Sequence, residues 1–504
     1  MDGSVNRLLR NGLLLISITV AGCNGHQASE SASRPFAGQR LAVVIPEGSG
    51  FEQTLRPVLD EWAAQTGASS TVVSYSGLKP ARKPSRSVPR PSFGQVIGQR
   101  PAEEAAVVIV PLTGLSELAA GGSLLPIPES RQTAEHLNWR DVLSGLREHA
   151  VSFKGHPMVV PLSCPVLVCY YRADLLKKAG LSPPRTWDEY QHLVETLNQW
   201  APGLTAVEPW NKSWRTTMFL ARAVSYATHP GNYSLFFDIT SGQPLIGTPG
   251  FVRALKETRH ALTRMPPKVK TYTPMHCRQE FLAGRAAMAV TVEPSDVYLV
   301  GGESARPLAV NMPRSTGIEV TVAPLPGRRT VFNRSSGKWE QPRDRKRNRP
   351  TLVFGGLAAG VVGSGDTTPA AWNLLETLTG DQRSTAFGSS GSSLCRESQT
   401  TVVSPQTAAS LKGRERQMAV SVIAESLRDP RLIVELPMVG REQFRAALTE
   451  GLNGVLDGSA DAAASLAAVA AKWQIISKEI GGDRVIDSYR GALGLSPRHK
   501  PRLP

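Results

Sequence analysis

The first regular pattern of apolar and polar positions begins at Leu41, where an unbroken apolar run to Ile45 has the character of a buried strand. A short loop follows, made of Pro46, Glu47, Gly48, Ser49 and Gly50. Then Phe51, Leu55, Val58, Leu59, Trp62 and Ala63 recur at near-helical spacing, which predicts a helix over 51–66 and a second strand over 70–75. The pattern repeats with a strand at 106–110, a loop at 111–114 and a helix at 115–120 ended by Gly121 and Gly122. Strands alternating with helices argue for a mostly parallel sheet covered on both faces. Such sheets hold ligands in the loops at the carboxyl ends of their strands, which nominates Gly48, Ser49 and Thr113.

The middle of the chain carries two apolar runs, 158–162 and 166–171, rich in β-branched and aromatic residues and punctuated by Pro161 and Pro165. An amphipathic piece over 173–179 stops at Gly180, and Thr186 with Glu189 three residues on forms a capping box for the next helix. Further along, a helix is expected over 207–226, entered through 209–214 with Trp210 and Trp214 at its start, and another over 248–264. Strands are expected at 288–292, ending on Glu293, at 320–326, and at 352–362, which contains Gly355 and Gly356. Helices over 369–378 and through 444–480 complete the pattern. A chain of 504 residues is too long for one core and implies two or three lobes.

Several of these segments combine into a spaced signature. Gly155 and Pro161 precede the string YYRADL at 170–175; Ala179, Gly180, Leu181, Pro184, Thr186, Trp187, Asp188 and Glu189 follow, and QEFLAGRAAMAV occupies 279–290. This resembles the extracellular solute-binding proteins of sugar-type ABC transporters. The resemblance implies an α/β fold of the two-lobed, type II periplasmic-binding-protein kind, each lobe a mostly parallel sheet flanked by helices, with the cleft between them. One lobe would comprise 41–158 and 326–391, the other 159–325 and 392–490, leaving 491–504 as a basic tail. It also implies capture of a small polar solute, a sugar or oligosaccharide, by lobe closure and delivery to permease subunits of an importer, by a monomer needing no cofactor. In that reading Gly48, Ser49, Thr113, Ser163, Gly355 and Gly356 face the ligand with their backbones or hydroxyls, Trp210 and Trp214 stack on it, and Glu293 accepts from a hydroxyl. Two departures, Arg172 where asparagine is usual and Ala105-Ala106 where an aspartate is common, point to a ligand outside the common sugars.

The amino terminus has its own logic. Arg7 and Arg10 precede an apolar run, 13–20, far short of the roughly 20 residues a membrane-spanning helix requires. The small residues before Cys23 resemble the lipobox of bacterial lipoproteins, so the expected mature chain begins at a lipidated Cys23, tethered to a membrane outside the cytoplasm through a polar linker over 24–40. The formal net charge of +15 resides almost wholly in two blocks, 77–103 and 328–349, read as exposed, irregular cationic loops. Apart from Phe93, Phe332 and Trp339 they lack interleaved aromatic residues, and the chain reads as exported, which together argue against nucleic acid as partner.

The remaining residues form no catalytic or metal-binding pattern. The histidines show no ligand spacing, no phosphate-binding glycine loop or nucleophile elbow occurs, and the run GSSGSS at 388–393 has the wrong spacing for one. With Cys23 lipidated, Cys164, Cys169, Cys277 and Cys395 read as buried thiols, or as cross-segment disulfides. The sequence therefore describes a binding protein. Two alternatives are an exported sensor for a membrane receptor and a secreted carbohydrate-active enzyme, the latter requiring two cleft carboxylates about 5–10 Å apart.

Overall fold

The computed structural model describes residues 34–47, 51–75, 105–293, 314–342, 347–380, 394–401 and 410–498. Two sheets organise them. The first has the order β2 (Ser69–Tyr75), β1 (Arg40–Pro46), β3 (Ala106–Pro111), β14 (Leu357–Val362), β6 (Val160–Ser163). The second has the order β10 (Val320–Pro324), β7 (Val166–Arg172), β9 (Ala286–Glu293), β8 (Thr205–Val207). Short hairpins are made by β4 (Ser152–Phe153) with β5 (His156–Pro157) and by β11 (Val331–Asn333) with β12 (Lys338–Glu340); β13 (Leu352–Val353) pairs with β15 (Ile433–Val434).

Both sheets are mixed, which corrects the expectation of mostly parallel ones. β1 is parallel to β2 and β3, but β14 is antiparallel to both β3 and β6. In the second sheet only the β8–β9 pair is parallel. The reason lies in the connections. A strand reached through a returning helix starts at the far end of its sheet, whereas one that receives the chain directly from the other sheet starts at the facing end and runs backwards. β7, reached from β6 across Cys164 and Pro165, and β14, reached from β13, are of the second kind.

β1 and β3 are apolar throughout and buried, as strands covered on both faces must be. The helix Thr368–Thr379 covers β3 and β14 and meets the helix Phe51–Thr66, where Trp62 donates to Asn373 Oδ1 at 2.8 Å. Around the second sheet, the helix Pro274–Leu282 packs on β9, and the helix Gly413–Leu427 packs on β10 and β7. A further layer is built from Arg215–Ala227, Pro249–Leu262, Arg441–Asp457 and Ala462–Ile480.

Several sequence expectations shift. The helix expected over 207–226 is β8, a turn, and then the helix Arg215–Ala227, because Pro209 and the Asn211 side chain, which accepts from Trp214 N at 3.0 Å, impose a turn first. The strand expected at 352–362 is broken into β13 and β14 by the left-handed Gly356 (φ 99°). The described residues of 326–348, expected with the first sheet, bond instead to elements around the second. Gly327 exchanges hydrogen bonds with Arg185 and Trp187, and Asn348 donates to the carbonyls of Ser225 and Thr228. Nor is the described part of the 328–349 block an irregular loop. Arg328 is 2% exposed and paired with Asp188 and Glu257, and β11–β12 packs Phe332 against Trp339 with the rings tilted by 60°. Of the basic tail, residues 491–498 are tied down, Arg498 pairing with Asp483 at 2.5 Å and Lys154 N donating to Gly491 O at 2.7 Å. The first cationic block and the lipidation position Cys23 lie outside the described residues.

Candidate functional site

The two sheets turn strand ends toward each other along one line. From the first come Pro111, Leu112 and Thr113 after β3, Ser163 at the end of β6, and Leu357 opening β14; the register sets Leu357 against both Pro111 and Ser163. From the second come Glu293, paired with Val166 at the β7 start, and Glu208, immediately after β8. The crossing segments Cys164-Pro165 and Phe354-Gly355-Gly356 join the two rows.

Three buried acidic groups sit at or beside the second row, each held by arginine. Glu208 accepts from the Trp210 indole N–H at 2.9 Å and from Arg222 Nη2 at 3.1 Å. The Arg222 guanidinium lies 4.0 Å from the Trp187 ring centroid, so its charge is shared between a carboxylate and an aromatic face. Glu293 Oε1 accepts from Arg278 Nη2 at 2.7 Å and from the Tyr170 hydroxyl, while its Oε2 has no hydrogen-bond partner. Burial pushes the Glu293 carboxyl above its ordinary value, with Arg278 and Tyr170 acting the other way. Glu435, one residue past β15, accepts from Arg441 at 2.8 Å, Arg445 at 2.9 Å and Thr217 Oγ1 at 2.8 Å. Among the described residues no group of three or more His, Cys, Asp and Glu side chains could hold a metal ion, and no helix is long and apolar enough to cross a membrane. The four cysteines beyond Cys23 are free and buried, and burial raises the thiols of Cys169 and Cys395 to about 12.

Residues 95–394 match the model of a family described as bacterial extracellular solute-binding protein. The chain belongs to that family. No curated protein matches the sequence. Solved structures share the fold: maltose-bound MalE3 of T. maritima (16% identity, TM-score 0.56, 87% of this chain and 99% of that one); the sugar-binding protein MalE of Xanthomonas citri (16%, TM-score 0.64, 88% and 98%); and an ABC transporter solute-binding protein of Agrobacterium radiobacter in complex with ribitol (19%, TM-score 0.56, 87% and 98%). Two-lobed solute-binding proteins are thus the structural class of this chain, and the family places it on the extracellular or periplasmic side.

In this solute-binding protein the residues nominated from sequence fall into three groups. Gly48 and Ser49 lie outside the described residues. Ser163, Gly355 and Gly356 are buried at the crossing, and two of them brace it: Ser163 Oγ accepts from Leu357 N at 3.1 Å, and Gly356 O accepts from Leu112 N at 3.1 Å. These atoms serve the backbone junction, because two crossing strands can approach this closely only without a side chain at 356. Thr113, Trp210, Trp214 and Glu293 stand at strand ends, but all are buried, the tryptophans to 1% exposure. Trp210 is turned to Glu208, and the Trp214 ring meets Phe354 edge-on at 5.5 Å. Neither offers an open ring face in this arrangement, and Glu293 is engaged by Arg278 and Tyr170 rather than exposed.

The sequence reading did not single out Glu208, Arg222, Phe354, Glu435, Arg441 or Arg445. A signal existed for some of them: Glu208 interrupts the apolar string AVEPW, and Arg441 and Arg445 stand four apart on the face of a helix that begins six residues after Glu435.

Proposed function

We propose that this chain is an exported, lipid-anchored solute-binding protein that captures a polyhydroxylated ligand, a sugar, oligosaccharide or sugar alcohol, between its two lobes and delivers it to the permease subunits of an ABC importer. The observation that carries the reading is the family match over 95–394 joined to two sheets whose strand ends face one another across crossing segments. Structures of the same fold are described with maltose and with ribitol bound, which supports the ligand class. Lobe division follows the crossings: residues up to Ser163 and from Leu357 to about 380 on one side, Val166–Val353 and most of 410–490 on the other. Thr113 from the first lobe and Glu208, Trp210, Trp214 and Glu293 from the second supply the ligand surface once the lobes separate. Indole faces suit the apolar C–H face of a pyranose, and carboxylates accept from hydroxyls.

Calorimetry against maltose, longer maltooligosaccharides, ribitol and mannitol tests this directly. Saturable binding by at least one, weakened roughly 5- to 150-fold in Trp210→Ala at about 1.4 kcal/mol per decade, is expected. The carbohydrate assignment is lost if no member binds, or if Trp210→Ala, folded by circular dichroism, binds unchanged. Anchoring is tested separately: Cys23→Ser should leave the protein unprocessed or release it from the membrane fraction, and unchanged partition into detergent would remove the lipid anchor from the reading.

A further inference from the structure

The back of the second crossing holds a crevice that the ligand reading does not use. It is shallow, with a cavity volume of only about 20 Å³, and is lined by Leu167, Ala221, Leu325, Arg349, Pro350 and Ser426. Three backbone segments run side by side at its mouth, joined by the bridges Thr186–Gly327 and Arg328–Asn348. Side chains alternate along such extended backbone. Asn348 points inward to the carbonyls of Ser225 and Thr228, so Arg347 and Arg349 share the opposite, outer side.

Arg185, on the neighbouring segment, brings a third guanidinium into the same field. Burial first, then repulsion from Arg185 and Arg349, hold the Arg347 guanidinium below its ordinary value, with Glu425 and Glu189 acting the other way. Among the described residues neither the Arg185 nor the Arg347 side chain has a hydrogen-bond acceptor or a carboxylate at ion-pair distance. The surrounding acids are committed elsewhere: Glu189 to Arg329 and to the amides of Arg185 and Thr186, and Asp429 to the amides of Thr351 and Arg431. Glu425 pairs with Arg349 at 2.5 Å, but its side chain is 59% exposed and free to swing out. Among the described residues, five guanidiniums (Arg185, Arg329, Arg347, Arg349 and Arg431) thus face three carboxylates, and the side chains of Arg185 and Arg347 are in direct contact with none of them.

Unpaired guanidiniums converging at the rim of a crevice are the arrangement that takes an oxyanion, because planar N–H forks match phosphate oxygens. We propose that Arg185, Arg347 and Arg349 form a binding site for a phosphate-class oxyanion beside the segment that leads into β13. The chemistry fits free phosphate or a phosphate monoester and equally the phosphate of an anionic lipid headgroup, and the test separates them. It needs no sugar, so its outcome is independent of the carbohydrate reading.

The full mature chain is titrated with inorganic phosphate at constant ionic strength against chloride, by calorimetry and thermal shift. In parallel it is floated with phosphatidylglycerol vesicles and with phosphatidylcholine vesicles, using the Cys23→Ser form so that no acyl chain contributes. Saturable phosphate binding assigns the site to a free anion; flotation with phosphatidylglycerol alone assigns it to a headgroup. In either arm, Arg347→Glu and Arg185→Glu should each weaken binding at least tenfold, while the melting temperature without ligand is unchanged, since neither side chain has a hydrogen-bond or ion-pair partner to lose among the described residues. Arg347→Lys should restore part of it. No saturable binding in either arm, or binding undiminished in both charge reversals, overturns the proposal.

Discussion

At the scale of single residues, two buried positions make opposite demands on the chain. Gly356 has φ 99°, and a Cβ there would be driven into the carbonyl of Ser163 and stand 2.9 Å from Cys164 Cα, both backbone atoms that cannot swing aside. Gly356→Ala should therefore lose stability through strain in φ together with a steric clash, about 1–3 kcal/mol for the conformation alone. Urea melts of the variant check this; a midpoint within error of the parent would mean that the crossing is looser than described. Glu293 is the reverse case, a side chain whose charge the interior resists. Its carboxyl is raised by burial, so the folded state binds its proton more tightly than the unfolded state. The stability this group contributes is fully present below the unfolded carboxylate value and is lost as pH rises through the folded one. The stability difference between the parent and Glu293→Gln should accordingly fall from pH 4 toward pH 7, other groups cancelling in the subtraction. A difference that is flat with pH, or that grows, would mean the ion pair with Arg278 outweighs desolvation.

Among elements, the local signals were the ones most legible in sequence. The capping box at Thr186 forms, with Glu189 N donating to Thr186 Oγ1 at 3.3 Å, because it requires only residues three apart. β1, β3, β7 and β9 appear within a residue or two of their apolar runs, since burial on both faces leaves a continuous signature. Strand direction was not legible. Nothing local to Leu357 reports that its strand starts at the facing edge of the sheet, and the break at Gly356 depends on contact with Ser163, far away in sequence. Long-range ion clusters were hidden for the same reason. Glu435 joins β15, the helix Arg215–Ala227 through Thr217, and the helix Arg441–Asp457 through two arginines. Removing the acid leaves both cations buried, Arg441 at 7% and Arg445 at 8% exposure. Glu435→Ala should cost about 3–5 kcal/mol, measured by chemical denaturation. A triple variant Glu435→Leu, Arg441→Met, Arg445→Met should recover much of it, since replacing a whole buried ion cluster by apolar groups is often neutral or stabilising. If the triple variant is no more stable than Glu435→Ala, the cluster sets the position of the helices rather than merely neutralising charge.

For the whole molecule, the class was legible in the spaced signature at 155–189 and 279–290, whereas the ligand surface was legible only as strand ends. Trp210 and Trp214 stand where strand-end geometry sends them, yet which way each ring faces is decided by Glu208 and Phe354, whose partnership no local pattern announces. Their burial to 1% has a consequence for motion. If Trp210 and Trp214 line the ligand surface as proposed, a ligand reaches them only when the lobes separate, and the described arrangement is then the closed member of an open–closed pair. Among the described residues the links available to bend are short: Cys164 and Pro165 between β6 and β7, and Phe354 to Gly356 between β13 and β14. Short crossings that absorb the dihedral change leave each sheet intact, which is hinge rather than shear motion. A ligand that drives the population from about 1:99 to 99:1 must favour the closed form by about 5.5 kcal/mol, and one indifferent to closure shifts nothing. Small-angle scattering of the Cys23→Ser protein should give a larger radius of gyration without ligand than with it, and the saturated value should match the one calculated from the described coordinates. Quenching by acrylamide should fall in step, and should fall less in Trp214→Phe, because one of the shielded rings has been removed. If scattering is the same with and without a saturating ligand, the lobes do not move apart, and the buried tryptophans belong to the core.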